Sequence, residues 1–148
     1  MSEEQSILIL EEDGHYACIL ELAFRQAGLT GLVHVASGRE EALEYLEGIR
    51  RNHDRQAMPS IILISLPMPL LQDFEVLRWI RARPEYNSVY VAVLSGIEYA
   101  GERRKARELG ADCYQVKPFM FGELVEFAGR VLGAKESVTG EIVSGLQS

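Results

Sequence analysis

The sequence predicts an α/β fold in which a five-stranded parallel sheet is doubly wound, with helices on both faces. Continuous aliphatic runs at 7–10, 61–64 and 91–94 have the pattern of strands buried on both sides, which parallel sheets require. Shorter, more mixed runs at 32–36 and 112–116 supply two further strands. Amphipathic helical stretches follow each strand, and this repeated alternation calls for right-handed crossovers. A chain of 148 residues with 47% hydrophobic content is the size of one domain with one core.

The first strand is Ile7-Leu8-Ile9-Leu10. Tyr16, Ile19, Leu20, Ala23, Phe24 and Ala27 then recur at three-to-four spacing, which predicts an inward helical stripe that stops at Gly28. Ser37 is the expected cap of the second helix, with Glu40 completing a capping box and Leu43 and Leu46 facing inward. A polar stretch from Arg50 to Pro59 leads to the third strand. Val76, Leu77 and Ile80, with a stop at Pro84, mark the third helix. Ala106, Leu109 and Gly110 mark the end of the fourth. Leu124, Phe127, Ala128, Val131 and Leu132 form the apolar stripe of the fifth. The expected domain covers residues 1–134, and residues 135–148 read as a polar tail too short for an output domain.

A net charge of −7, from 15 basic and 22 acidic residues, gives no field that would attract a nucleic-acid backbone. Met1-Ser2-Glu3-Glu4 is acidic and is followed by an apolar stretch only a strand long, unlike a signal peptide. The apolar run from Ile61 to Leu71 is too short and too interrupted by proline to span a bilayer, so neither a membrane nor a nucleic-acid role is expected and the cytoplasm is the expected compartment. Cys18 and Cys113 lack C-x-x-C spacing and read as buried free thiols.

In a doubly wound sheet, chemistry belongs at the carboxyl ends of the strands, where this sequence places Glu11, Glu12, Ser65, Ser95 and Lys117. Five segments at those ends carry a resemblance: Ile7 to Leu10 followed by Glu11-Glu12-Asp13; Ser65 with Met68-Pro69; Phe74-Glu75-Val76-Leu77; Val91 to Leu94 followed by Ser95; and Tyr114-Gln115-Val116-Lys117-Pro118-Phe119. Read in order, over roughly residues 5 to 133, the chain resembles a response-regulator receiver domain of two-component signalling. The resemblance implies the flavodoxin-like (βα)5 sheet with strand order 2-1-3-4-5. Three positions depart from the family pattern. Glu12 stands where aspartate is usual, Asp73 where glycine is usual, and Ser65 where the family carries its phosphoacceptor aspartate. The length of the polar stretch Arg50 to Pro59 resembles that of single-domain receivers associated with bacterial phytochrome kinases.

A working receiver needs a carboxylate nucleophile, a divalent cation and a positive counter-charge. Glu11 and Glu12 are oxygen ligands suited to magnesium, or simply a solvated loop. Lys117 would donate to phosphate oxygens, or else pair with Glu12 or Glu11. The resemblance makes Ser95 the hydroxyl that bonds a phosphoryl group and Tyr114 the switch aromatic. Alternatively, Ser95 caps the following turn and Tyr114 is a half-buried ring with a wet hydroxyl. A serine at Ser65 is a weak nucleophile without a histidine base beside it, because His15, His34 and His53 lie in other elements. The expectation is a receiver that accepts no phosphate and binds magnesium weakly or not at all.

The resemblance also implies a partner face built from the fourth helix, fifth strand and fifth helix, here bearing Tyr99, Arg103, Arg104, Arg107, Phe119, Phe121 and Phe127. A sensor histidine kinase, another signalling protein or a second copy of the chain is the expected partner. Phe119, Met120 and Phe121 cannot all enter one core, so exposure of at least one is expected, with helix-end packing as the competing role. The Arg103-Arg104-Lys105 run reads as a solvated helix face. A flavodoxin-like cofactor-binding protein or small enzyme is the alternative. It lacks a glycine-rich phosphate loop after the first strand and a serine elbow around Ser65 or Ser95. Modification of Ser65 or another residue by a serine kinase stays open.

Overall fold

A computed structural model describes residues 4–54, 57–66, 74–97 and 100–144. The strands are β1 (Ile7–Leu10), β2 (Val33–Ala36), β3 (Ile61–Leu66), β4 (Tyr90–Ser95) and β5 (Cys113–Val116), all parallel, in the order β2-β1-β3-β4-β5. The helices are α1 (Gly14–Gln26), α2 (Arg39–Asn52), α3 (Phe74–Arg81), α4 (Ala100–Glu108) and α5 (Phe121–Ser144), with a 3-10 turn at Pro84–Tyr86. This is the flavodoxin-like order expected from the sequence.

Strand alternation sorts the core into two layers. Ile7, Ile9, Ile61, Leu63, Ala92 and Leu94 pack against Leu20, Ala23 and Phe24 of α1 and Leu124, Phe127 and Val131 of α5. Leu8, Leu10, Ile62, Ile64, Val91 and Val93 pack against Leu46 of α2, Leu77 and Ile80 of α3, and Ala106 of α4. The same parity governs the strand ends. Glu11 and Ser65 emerge on the α1/α5 side, whereas Ser95 and Tyr114 emerge on the side covered by α4.

Several local expectations change. The second helix is capped by Gly38 without a side-chain bond, and it is Glu41, not Glu40, that reaches back to the Ser37 amide and hydroxyl. The extended backbone of Gly38 delays the helix by one residue, so the carboxylate one position later has the right reach. Ile19 turns outward at 40% exposure. Cys18 is exposed and Cys113 half-buried, so neither is the fully buried thiol expected, because helix rotation carries Cys18 off the stripe formed by Ala17, Leu20 and Phe24. The fifth helix continues through 135–144, within the stretch read as a polar tail. Gly28 and Gly110 adopt φ of 119° and 105° just past α1 and α4, where a residue without Cβ relieves the strain of ending a helix.

Candidate functional site

The register of the sheet assembles the site. Leu10 pairs with Ile64, so the next residues, Glu11 and Ser65, are neighbours on the same face. The Ser65 hydroxyl donates to Glu11 Oε1. Lys117 follows β5, and its Nζ lies 3.5 Å from the same Glu11 oxygen. Glu11 Oε2 accepts the Asp13 amide at 2.9 Å. Glu11 is buried, and both of its oxygens are therefore engaged. A buried carboxylate is tolerable when an ammonium balances its charge and hydrogen bonds satisfy its lone pairs.

The acidic run divides its roles. Glu11 is buried and paired with Lys117, Glu12 points to solvent, and Asp13 caps α1 by accepting from the His15 and Tyr16 amides at 2.9 and 3.3 Å. Of the two carboxylates available to Lys117, Glu11 is the one it meets. Tyr16 roofs the pair, with the Lys117 ammonium 4.8 Å from its ring centroid. Burial, and then the negative charge of Glu11, push the Tyr16 phenol above its ordinary pKa. Among the described residues, no three His, Cys, Asp or Glu side chains gather in a way that could hold a metal ion.

On the opposite face, Ser95 is fully buried at the end of β4. Its hydroxyl donates to Ile97 O at 3.0 Å and accepts the Ile97 amide at 3.4 Å, the turn-capping role. Tyr114 differs from the half-buried ring with a wet hydroxyl. It is 9% exposed, and its hydroxyl donates to Glu102 of α4, itself buried. Burying a phenol requires a partner for its polar end, and Glu102 is that partner. The Arg103 guanidinium lies 4.7 Å from the Tyr114 ring centroid and donates to Tyr114 O at 3.3 Å, so it is not a purely solvated member of the basic run.

The partner-face residues separate. Phe119 is 102% exposed, Met120 66% and Phe121 42%, so all three turn outward, joined by Ile97 at 49%. Arg104 and Arg107 are exposed on α4. Phe127 belongs to the core instead, edge-on to Phe24 with ring centroids 6.5 Å apart. Tyr99, like Met68, Pro69 and Asp73, lies outside the described residues. Sequence reasoning passed over Glu102, although a readable signal existed: it stands four residues before Ala106, on the inward stripe of α4, where an acidic residue needs a buried donor. It also passed over Asp13, whose signal was an aspartate immediately before the first helical residue.

Residues 7–128 match the response regulator receiver domain family. Among curated proteins, the chain is 28% identical over 120 residues to a probable methanogenesis regulatory protein, FilR2, of Methanothrix harundinacea, covering 80% of this chain and 75% of that protein. It is 32% identical over 119 residues to the transcriptional regulatory protein PrrA of Mycobacterium tuberculosis, covering 80% of this chain but only 46% of that protein. Among solved structures, it resembles the response regulator RPA3017 in red light signaling of R. palustris, with TM-score 0.72 and 29% identity, covering 86% of this chain and 90% of that one. The phosphorylated cyanobacterial phytochrome response regulator RcpA shares the fold at TM-score 0.73 and 21% identity, covering 87% and 91% of the two chains. With a family match spanning most of its length and the β2-β1-β3-β4-β5 sheet to go with it, the chain belongs to the response regulator receiver domain family of two-component signalling.

Proposed function

We propose that this chain is a receiver in which Ser65 occupies the acceptor position, so that it signals through protein contacts without aspartyl phosphorylation and without enzymatic activity of its own. The observation that carries this reading is the Ser65 hydroxyl donating to Glu11, whose charge is already balanced by Lys117. An alcohol bonded to a carboxylate that an ammonium also engages has a poor proton acceptor, and among the described residues nothing else beside it activates it as a nucleophile. Lys117, the positive charge a phosphoryl group would need, is committed to Glu11. The burial of Ser65 likewise opposes modification by a serine kinase.

The same arrangement disfavours magnesium. A hard cation would have to displace Ser65, Lys117 and the Asp13 amide from Glu11, leaving exposed Glu12 as the other carboxylate of the pair. A thermal-shift titration with magnesium chloride tests this. The wild-type melting temperature is expected to stay flat. Ser65→Asp, which sets a second carboxylate against Glu11, is expected to lose about 1–3 kcal/mol without metal and to regain it with magnesium. A wild-type melting temperature that climbs as steeply as the variant's would overturn the reading.

The partner face we assign to Phe119, Phe121, Arg104 and Arg107, with exposed Met120 and Ile97 as further apolar candidates. Exposed apolar side chains together with exposed arginines suit a signalling protein that offers apolar and acidic side chains, a sensor histidine kinase or a second copy of this chain being the forms expected. The likeness to a response regulator of red light signaling, together with the polar stretch before β3, supports a phytochrome-associated role. A cytoplasmic site agrees with the finding that none of the described helices is long and apolar enough to cross a membrane.

A further inference from the structure

We propose that Glu102 and Arg103 form a clasp that locks Tyr114 into the core and ties α4 to β5 by internal contacts alone, so that the α4 surface is held in one position without any phosphoryl group. The lock stands on geometry at the α4 side of the sheet. It holds whether or not Ser65 is silent.

The clasp grips Tyr114 from two sides. Glu102 reaches inward from the first turn of α4 to accept the Tyr114 hydroxyl, while its neighbour Arg103 passes over the outside of the ring and bonds the Tyr114 carbonyl at 3.3 Å. Adjacent helical residues point about 100° apart, which is what lets one reach beneath the ring and the other cover it. Glu102 is 1% exposed, and its second oxygen, Oε2, is buried without a hydrogen-bond partner among the described residues. An acidic group so placed would hydrate if α4 moved outward, so this half-satisfied carboxylate favours opening while the Tyr114 bond opposes it. The Tyr114 bond is thus the contact that keeps this carboxylate, and with it the first turn of α4, in place. The basic residues Arg104 and Arg107 ride on the same helix, so a shift of α4 re-aims them.

The test compares amide hydrogen exchange along α4 and β5, together with the reactivity of Tyr114 towards a water-soluble phenol-nitrating reagent read by peptide mass spectrometry. The proteins compared are wild type, Glu102→Ala, Glu102→Gln and Tyr114→Phe. Glu102→Ala is expected to raise Tyr114 nitration and α4 exchange by about tenfold or more, the worth of one hydrogen bond to a charged group. Glu102→Gln keeps an acceptor for the phenol and is expected to behave much as wild type. Tyr114→Phe keeps the ring but removes the hydroxyl, and its α4 exchange is expected to rise as in Glu102→Ala. That variant decides the matter should Glu102→Ala fail to fold. The proposal is overturned if α4 exchange in Tyr114→Phe matches wild type, or if a folded Glu102→Ala protects Tyr114 as well as wild type does, since packing alone would then hold the ring.

Discussion

Lys117 and Ser65 share a single oxygen of Glu11, and the two contacts differ in what their loss exposes. Lys117→Met leaves a buried carboxylate with no counter-charge, so it is expected to destabilise the fold by about 3 kcal/mol in urea unfolding. Ser65→Ala removes one neutral donor and leaves Lys117 in place, so about 1 kcal/mol is expected. An equal cost for both would mean that Glu11 is held by hydrogen bonding and not by charge. These two residues were legible in the sequence because each lies at the carboxyl end of a strand within a recognisable motif. Glu102 was legible only through its spacing to Ala106, because by residue type alone an acidic side chain in a helix looks the same whether it meets water or a buried phenol. The exposed side of the story was clearer: three consecutive large apolar residues at 119–121 could not all be buried, and none of them is.

Elements were read from the sequence with differing success for physical reasons. The strands were legible because burial on both faces leaves unbroken aliphatic runs, and β3 and β4 extend those runs only as far as Leu66 and Ser95. Helix starts were harder, since a cap depends on backbone angles that composition does not reveal. Asp13 caps α1 and Ser37 does not cap α2, although both residue types favour that position. Asp13→Ala is accordingly expected to lower stability by about 1 kcal/mol, measurable by chemical denaturation, with the first turn of α1 exchanging its amides faster. The turn into β2 contains a sharper constraint. A Cβ on Gly31 would sit 1.9 Å from the Gln5 carbonyl oxygen, so the backbone itself must shift to admit one. Gly31→Ala is expected to cost more than about 2 kcal/mol, whereas Gly48→Ala, in α2 with open space around its Cβ, is expected to be neutral or stabilising.

Across the whole molecule, the two core layers are bridged to their connecting segments by buried polar contacts that set the response to pH. The Tyr86 hydroxyl donates to Leu46 O at 2.6 Å, joining the turn before β4 to α2, and burial is the main cause that pushes its pKa up to about 12. Tyr90 is shifted in the same direction, again chiefly by burial. A phenol raised in the folded state contributes stability that is complete below its ordinary pKa of about 10. That contribution is lost as the pH rises from there through about 12, because the unfolded chain ionises first. The unfolding free energy is therefore expected to fall by about 2 kcal/mol over that window, and Tyr86→Phe is expected to flatten the decline. Signalling by such a molecule rests on whether its carboxyl-end site can take a phosphoryl group at all. Intact-mass spectrometry of wild type and Ser65→Asp after incubation with magnesium and acetyl phosphate asks this directly. A base-labile phosphoryl increment is expected on Ser65→Asp and none on wild type; the same increment on wild type would show that a carboxylate of this site accepts phosphate and that Ser65 does not silence it.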